Sequence, residues 1–127
     1  MYTFKKEERL CNKKLIESLY HNRSSFLCYP FKASWLPVDE AMPYPAQILI
    51  TVSKKRYKHA VDRNLVKRRV REVYRLNKQQ HLYEQLGAAG KQLVFSVSYI
   101  GKEIVPQELM GKKMLKLLQQ LSGEAVK

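Results

Sequence analysis

The strongest constraint on the fold is a helical segment that lies between two segments of strand alternation. In residues 60–75, AVDRNLVKRRVREVYR, apolar side chains recur at the spacing of one helix face. Residues 46–55 before it and 92–100 after it alternate apolar and polar side chains, as half-buried strands do. The apolar helix face comprises Val66, Val70, Val73 and Tyr74. The pattern predicts a sheet with this helix packed on it.

The remaining elements complete an α+β fold. In chain order they are a helix at 7–21 ended by Asn22, an aromatic strand at 24–31, a proline-rich loop at 36–45, a break at 87–90, and a helix from Pro106 through Leu121. The predicted order is α-β-β-α-β-α, with room for a further short strand, and the helices pack on a single sheet. We expect one domain, 1–127, with an ordered core at about 4–121 and a frayed tail at 122–127.

The net charge predicts a polyanionic partner. The 127 residues include 24 Lys plus Arg and 11 Asp plus Glu, for a net charge of +13. A domain so charged repels itself, and nucleic acid is the leading compensating partner, ahead of an anionic membrane surface. No apolar run approaches the roughly 18 residues of a spanning helix, and MYTFKKEERL lacks the apolar segment of a secretory signal. We therefore expect a cytoplasmic protein with no membrane partner.

The charge is concentrated beside the apolar face of the central helix. Residues 54–75 carry ten basic side chains against Asp62 and Glu72, and so account for +8 of the +13. A merely solvated helix face would mix both signs, because opposite charges one turn apart stabilise a helix. Asp62 is the predicted N-cap of this helix, which we expect to run to about residue 80 or slightly beyond. Glu72 is the predicted partner of Arg69 or Arg75. On the helical wheel the basic sector holds Asn64, Lys67, Arg68, Arg71, Arg75 and Lys78.

The sequence favours RNA binding over DNA binding and over catalysis by the protein. The basic helix follows a strand ending in SKKRYKHAV, whereas the recognition helix of a helix-turn-helix protein follows another helix. A basic helix packed on a sheet is therefore better suited to shape-directed binding of a folded RNA than to reading DNA. The acids are dispersed, and the histidines show no metal-ligand spacing. Cys11 and Cys28 lack a CxxC neighbour and are expected to be reduced thiols. No catalytic or metal-binding residue is predicted.

The stretch VSKK, 52–55, followed by AVDRNLVKRRVRE, 60–72, resembles the protein subunit of bacterial ribonuclease P. In that family a Val-Ser-Lys-Lys strand end leads into the RNR motif, and one position departs from it, since Leu65 stands where the family has Arg. The resemblance covers about residues 4–121. The residues that match the motif in type and spacing are Arg63, Asn64, Lys67, Arg68, Arg71 and Glu72.

The resemblance implies a subunit of a ribonucleoprotein endoribonuclease whose RNA carries the catalysis. Ribonuclease P removes the 5′ leader of precursor tRNA by hydrolysing one phosphodiester, with Mg2+ held mainly by the RNA subunit and no organic cofactor. The protein docks on the catalytic RNA through the RNR helix and is expected to be monomeric without RNA. The family fold also implies a left-handed ββαβ crossover, where the general rule expects a right-handed one.

The predicted RNA-binding residues are Lys54, Lys55, Arg56, Arg63, Asn64, Lys67, Arg68, Arg71 and Arg75. The resemblance also implies that the leader lies in a cleft between the first helix and the sheet. Ile16 and Tyr20 on the helix and Tyr29 on the aromatic strand match its positions. Phe26 joins them as an aromatic neighbour, with ordinary core packing as its alternative. The functional alternatives are a ribosomal or other structural RNA-binding protein without enzymatic role, and a self-sufficient RNase.

Overall fold

One four-stranded sheet with helices packed on it forms the fold of the computed structural model, which describes residues 4–21, 24–39 and 41–126. The α+β prediction is therefore confirmed. None of the helices in these ranges is long and apolar enough to cross a membrane. The elements are α1 (Lys13–His21), β1 (Ser25–Cys28), β2 (Phe31–Pro37), β3 (Ala46–Val52), α2 (Ala60–Lys78), a π-helical turn (Gln79–Tyr83), α3 (Glu84–Ala89), β4 (Leu93–Tyr99) and α4 (Gln107–Ala125).

The strands lie in the order β1-β2-β4-β3. β2 pairs antiparallel with both β1 and β4, and β3 pairs parallel with β4. Because parallel neighbours cannot be joined by a tight turn, the chain crosses from β3 to β4 through α2 and α3. The handedness predicted for this crossover stays a prediction.

The aromatic segment forms a hairpin instead of the single predicted strand at 24–31. The chain turns at Tyr29 and Pro30, whose peptide bond is cis, and returns as β2 through Pro37 into the predicted loop. β2 is paired on both edges, so partners distant in the sequence supply its hydrogen bonds. β2 is the further strand that the predicted element order allowed for.

The first helix begins later than the prediction of 7–21. Arg9 forms a parallel bridge with Ile48, and the Leu10 N–H donates to the Ile48 carbonyl at 2.9 Å. The Asn12 side-chain oxygen then accepts from the backbone N–H groups of Lys14 and Leu15, at 3.0 and 3.2 Å, and starts α1. Residues 7–11 were predicted as helix, but Arg9 and Leu10 pair with the edge of β3 instead. The predicted stop at Asn22 lies outside the described residues.

The helical segment after β3 starts earlier and ends later than predicted. It starts after His59, so Asp62 lies in the first turn and is not the N-cap, although its charge still suits a helix N-terminus. It continues through the π-helical turn and α3 to Gly90, whose φ of 65° is a left-handed C-cap. The buried Leu82, Tyr83 and Leu86 extend its apolar face into the predicted break at 87–90.

The last helix is also longer than predicted. α4 ends at Ala125, whereas a frayed tail was expected from residue 122. Leu121 and Ser122 are buried, and the Trp35 indole N–H donates to the Glu124 carboxylate at 3.2 Å. Contacts with β2 therefore hold the end of the helix.

The two faces of the sheet are covered unequally. On one face, α2 and α4 pack on a core that includes Phe31, Phe95 and Val97, each fully buried. On the other face, α1 places Leu19 against Val94 in a smaller cluster. Beyond α1 this second face carries polar side chains, as the predicted alternation at 92–100 requires.

A buried ion pair ties the N-terminal segment to the end of α2. The Lys78 ammonium pairs with the Glu8 carboxylate, and both side chains are almost fully buried. The carboxylate also accepts from the Tyr83 hydroxyl and the Lys5 N–H, each at 2.6 Å. Burial raises the pKa of Glu8, but the donors at Lys5, Lys78 and Tyr83 outweigh it and hold the pKa below its ordinary value.

We predict that Glu8→Gln lowers the free energy of unfolding at neutral pH by roughly 3–5 kcal/mol, because it leaves the Lys78 charge buried without a counter-charge. The folded pKa of Glu8 lies below its ordinary 4.5, so the stabilisation is present above pH 4.5 and is lost as the pH falls through the folded value. The variant should therefore lose less stability in acid than the parent does. Urea unfolding at several pH values measures both effects.

The control for this variant is Glu7→Gln, at the exposed neighbouring position. It should change the free energy of unfolding by no more than about 0.5 kcal/mol. Equal losses in the two variants would show that the buried pair does not hold the segment.

Candidate nucleic-acid interface

The basic residues predicted on α2 form one solvent-facing surface. Val66, Val70 and Tyr74 have no exposed area, so the rotation of the helix about its axis is fixed by its apolar face. The residues of the adjacent surface are half-buried or exposed, and we call them the cationic flank: Arg63, Asn64, Lys67, Arg68, Arg71 and Arg75. The side chains that matched the RNR motif are therefore brought together on one side of α2.

Most of this charge is not neutralised by the protein. Arg75 pairs with Glu72 at 2.5 Å, one of the two predicted partnerships, and its guanidinium holds the pKa of Glu72 below the usual value. In the part of the chain that the structure describes, Lys67, Arg68 and Arg71 form no ion pair. Unpaired guanidinium and ammonium groups along one helix side suit a row of phosphates.

Arg63 differs from the rest of the flank because it also holds the loop before the helix. Its Nη1 donates to the carbonyls of Tyr57 and Lys58, both at 2.8 Å. Tyr57 is buried and its hydroxyl donates to the Gly101 carbonyl at 2.7 Å. Arg63 thus orders the entry to α2 with one nitrogen and has further N–H donors for a ligand.

Lys78 and Arg69, although basic, do not belong to the flank. The helical wheel placed Lys78 in the basic sector, but the structure buries it against Glu8, so that placement was wrong. Arg69 is not among the residues of the basic sector on the wheel, and its Nη1 donates to the Val105 carbonyl at 3.0 Å, which ties α2 to the segment before α4.

The basic turn after β3 extends the positive surface beyond α2. Lys54, Lys55 and Arg56 are all exposed, and the Lys55 N–H donates to the Ser53 hydroxyl at 3.2 Å. Because β3 and β4 are parallel, this turn lies at the end of the sheet where β4 also finishes. The predicted basic residues therefore occupy two adjoining places, the flank and this turn.

The second sheet face carries a row of hydroxyl side chains, which we call the hydroxyl strip. Three of its members are half-buried, and Ser96 is buried. Ser34 pairs with Ser96, and Thr51 pairs with Ser98, across adjacent strands. The Thr51 and Ser98 hydroxyls are 2.7 Å apart. The polar phase of residues 46–55 and 92–100 signalled three of these residues, but Ser34 belongs to the strand that was missed. Hydroxyl groups at such a surface can bind phosphate, sugar or base edges.

Of the four predicted leader-binding residues, Ile16 and Tyr20 lie on α1 beside this face. Ile16 is half-buried and packs against the cluster of Leu10, Leu19 and Val94. The Tyr20 side chain is 69% exposed and is free to stack on a base.

The other two aromatic residues lie elsewhere. Tyr29 is in the turn after β1, where its hydroxyl accepts from the Lys102 N–H at 3.2 Å, at the end of the sheet that carries the basic turn. Phe26 pairs with the buried Ala33 and packs on the core under α4, which is the face opposite the hydroxyl strip. The placement of Phe26 with the leader residues is therefore corrected, and its alternative, core packing, is what the structure shows.

The described residues offer no cluster for a metal ion. No group of three or more His, Cys, Asp or Glu side chains comes together in the described ranges. Carboxylates do not converge on the flank either, where Glu72 is engaged by Arg75. Within the described ranges the arrangement can bind a polyanion, and it offers no group of carboxylates of the kind that two-metal hydrolysis uses.

The chain matches known proteins over most of its length. The family model described as Ribonuclease P matches residues 4–121. A ribonuclease P protein component from Porphyromonas gingivalis is 31% identical over 120 residues, covering 93% of this chain and 85% of the relative. One from Chlorobium phaeobacteroides is 31% identical over 130 residues, covering 94% and 88%.

The chain is also similar to solved structures of RNase P proteins. The RNase P protein from Thermotoga maritima has a TM-score of 0.70 at 25% identity, covering 89% of this chain and 96% of that one. The Staphylococcus aureus RNase P protein has a TM-score of 0.70 at 17% identity, covering 96% and 100%, a likeness that shows the fold alone.

Leu65, the departure from the motif, lies half-exposed in a cleft beside Arg68, Arg69 and Gln107, outside the core. We therefore predict that Leu65→Arg changes the free energy of unfolding by no more than about 0.5 kcal/mol. It should also steepen the salt dependence of RNA binding by about one unit of log–log slope. Urea unfolding and binding titrations at several salt concentrations measure the two effects.

The neighbouring Val66→Arg is the matched control. Val66 has no exposed area, so the same new charge should there cost several kcal/mol and unfold a large fraction of the protein. A loss at Leu65 as large as that at Val66 would mean that Leu65 packs as a core residue.

Proposed function

Because the chain belongs to the ribonuclease P protein family, we propose that its cationic flank binds the catalytic RNA and its hydroxyl strip binds the 5′ leader of precursor tRNA. The chain is the protein component of ribonuclease P, an RNA-binding subunit of a ribonucleoprotein endoribonuclease that processes precursor tRNA. The family model and the relatives reported above favour this assignment over a structural RNA-binding protein and over a self-sufficient RNase.

One observation carries the proposal for the flank. Lys67, Arg68 and Arg71 share one side of a helix whose rotation is fixed by buried side chains, and they have no ion pair in the described ranges. Such a surface presents positive charge in a fixed direction without first breaking internal salt bridges. Phosphates of a folded RNA are the ligands that match it, and the basic turn Lys54–Arg56 would extend the contact.

The proposal that the hydroxyl strip binds the 5′ leader depends on α1 covering only part of the second sheet face. Tyr20 stands at the end of α1, and the hydroxyl strip leads from there toward the end of the sheet with Tyr29, Lys54 and Lys55. A single strand laid along this path would find an exposed ring for stacking at its start, hydroxyl groups along its length and ammonium groups at its end.

The chemistry of cleavage is assigned to the RNA subunit. Magnesium ions held mainly by that RNA would activate the attacking water, and the described residues contain no side-chain cluster to hold them. The protein's part is to bind and orient two RNA segments. We also propose that the protein is monomeric without RNA, and that it acts in the cytoplasm, where precursor tRNA is made in a bacterial cell.

The experiment that tests the flank is a salt titration of binding to the catalytic RNA. Arg68→Ala and Arg71→Ala should each weaken binding and lower the log–log salt slope by about one unit, since each removes one phosphate contact. Lys116→Ala, which removes an exposed charge from α4, is the control and should leave the slope unchanged. Slopes that fall equally in all three variants would show that the flank is not the binding surface.

For the leader, we predict that Tyr20→Ala and Tyr29→Ala in the reconstituted enzyme weaken binding of precursor tRNA and leave binding of mature tRNA unchanged. The expected loss is roughly 1–3 kcal/mol for each stacked base. Leu109→Ala, another exposed apolar side chain, is the control on α4. Equal losses on precursor and mature tRNA would remove that tyrosine from the leader path.

A further inference from the structure

A cleft between the N-terminal segment and α2 adjoins the cationic flank, and its N-terminal wall belongs to neither proposed surface. It has a volume of about 230 Å³ and opens at the outer edge of β3, beside the bridge between Arg9 and Ile48. Part of its lining is apolar: the buried Leu10 and Ile48 and the half-buried Phe4 and Ile50. The hydroxyl strip lies on the other face of the sheet, because Ile48 and Ile50 belong to the face that α2 covers.

Three cationic side chains also line this cleft. Arg9 approaches from the N-terminal segment, and Lys67 and Arg71 approach from the cationic flank of α2. None of the three has an ion pair within the described residues. Three like charges around one opening repel each other, so an anion placed among them relieves that repulsion.

The position of Arg9 is set by several contacts of its segment. The parallel bridge to Ile48 fixes its backbone, and the buried Glu8–Lys78 pair holds the preceding residue. The guanidinium carbon lies 5.4 Å from the centre of the Phe4 ring, whose edge in turn packs on Tyr74 with ring centres 5.8 Å apart. The backbone of Arg9 is therefore fixed, and its exposed guanidinium lies over the Phe4 ring at the cleft.

A flat ring with an attached phosphate matches both the size and the chemistry of the cleft. An apolar cavity of about 150 Å³ accepts benzene, so a cleft of about 230 Å³ has space for a somewhat larger ring. A nucleobase is such a ring, and its 3′ or 5′ phosphate would lie at the cationic opening. Arginine and apolar side chains accept unstacked bases of any sequence.

We infer that this cleft holds one unstacked nucleotide of the catalytic RNA, with its base against the apolar lining and its phosphate among Arg9, Lys67 and Arg71. The inference rests on the proposed function, because it takes the catalytic RNA as the partner of the flank. Lys67 and Arg71 belong to both surfaces, so an RNA docked on the flank has its backbone beside the opening. The N-terminal segment thus adds Arg9 to the RNA contact.

The first test compares Arg9→Gln with Lys6→Gln, which removes an exposed charge from the same segment outside the cleft. Arg9→Gln should weaken binding of the catalytic RNA about tenfold and lower the salt slope by about one unit, while Lys6→Gln changes neither. Equal effects would overturn the inference. If the parent protein does not bind the catalytic RNA at all, the proposed function itself fails, so the two failures are distinguishable.

The second test uses Cys11, an exposed thiol that lines the cleft. In a Cys28→Ser background, the catalytic RNA should slow alkylation of Cys11 by iodoacetamide at least tenfold. A thiol moved to the exposed α1 position by Ser18→Cys with Cys11→Ser should be slowed much less. Equal protection of the two thiols, or protection of Cys11 by precursor tRNA and not by the catalytic RNA, would overturn the inference.

The same thiol can identify the nucleotide. An azidophenacyl group attached to Cys11 should cross-link, on irradiation, to one unpaired nucleotide of the catalytic RNA. Cross-links confined to base-paired nucleotides, or to the tRNA leader, would contradict the assignment.

Discussion

The structure depends on α2 lying against the sheet in spite of its own charge. Val66, Val70, Val73 and Tyr74 are at most 3% exposed, and burying each such side chain contributes roughly 1.5–3 kcal/mol. Like charges one helical turn apart cost only about 0.2–0.5 kcal/mol per pair. The apolar face therefore outweighs the repulsion along the cationic flank, and the helix can keep Lys67, Arg68 and Arg71, which have no ion pair among the described residues. The repulsion between these basic side chains is small compared with the stability that the buried apolar face contributes. The side chains therefore remain charged and available to a polyanion.

The N-terminal segment gives this helix a second set of constraints. By carrying Glu8 into the core it makes the burial of Lys78 possible, and it occupies the edge of β3 with a parallel bridge at Arg9. An edge strand left unpaired is a site for unwanted association, and the bridge covers part of it. One short segment thus protects the sheet edge, holds the end of α2 and places a cation opposite Lys67.

The two RNA surfaces proposed for the chain differ because the two faces of the sheet are covered differently. The long helices α2 and α4 close one face, and the charge lies on the outer side of α2. The nine-residue α1 covers only part of the other face and leaves the half-buried hydroxyl groups of Ser34, Thr51 and Ser98 beside it. Ammonium and guanidinium groups suit the dense phosphates of a folded RNA, whereas hydroxyls and an exposed tyrosine suit a single strand. Within the described ranges, neither surface brings together three or more His, Cys, Asp or Glu side chains.

The sequence by itself determined the elements whose patterns are local: the apolar face of α2, the alternation of β3 and β4, and the common side of Lys67, Arg68 and Arg71. The spacing at which side chains return to the same face of a helix or strand is set by the backbone geometry. These features could therefore be predicted without knowing the fold. Only the tertiary structure decided the rest, because it depends on partners distant in the sequence. β2 forms from pairing on both edges, Lys78 turns inward because Glu8 is there, Phe26 faces the core because of its register with Ala33, and Arg9 meets Lys67 and Arg71 because its segment pairs with β3. Each of these requires contacts that no window of neighbouring residues contains.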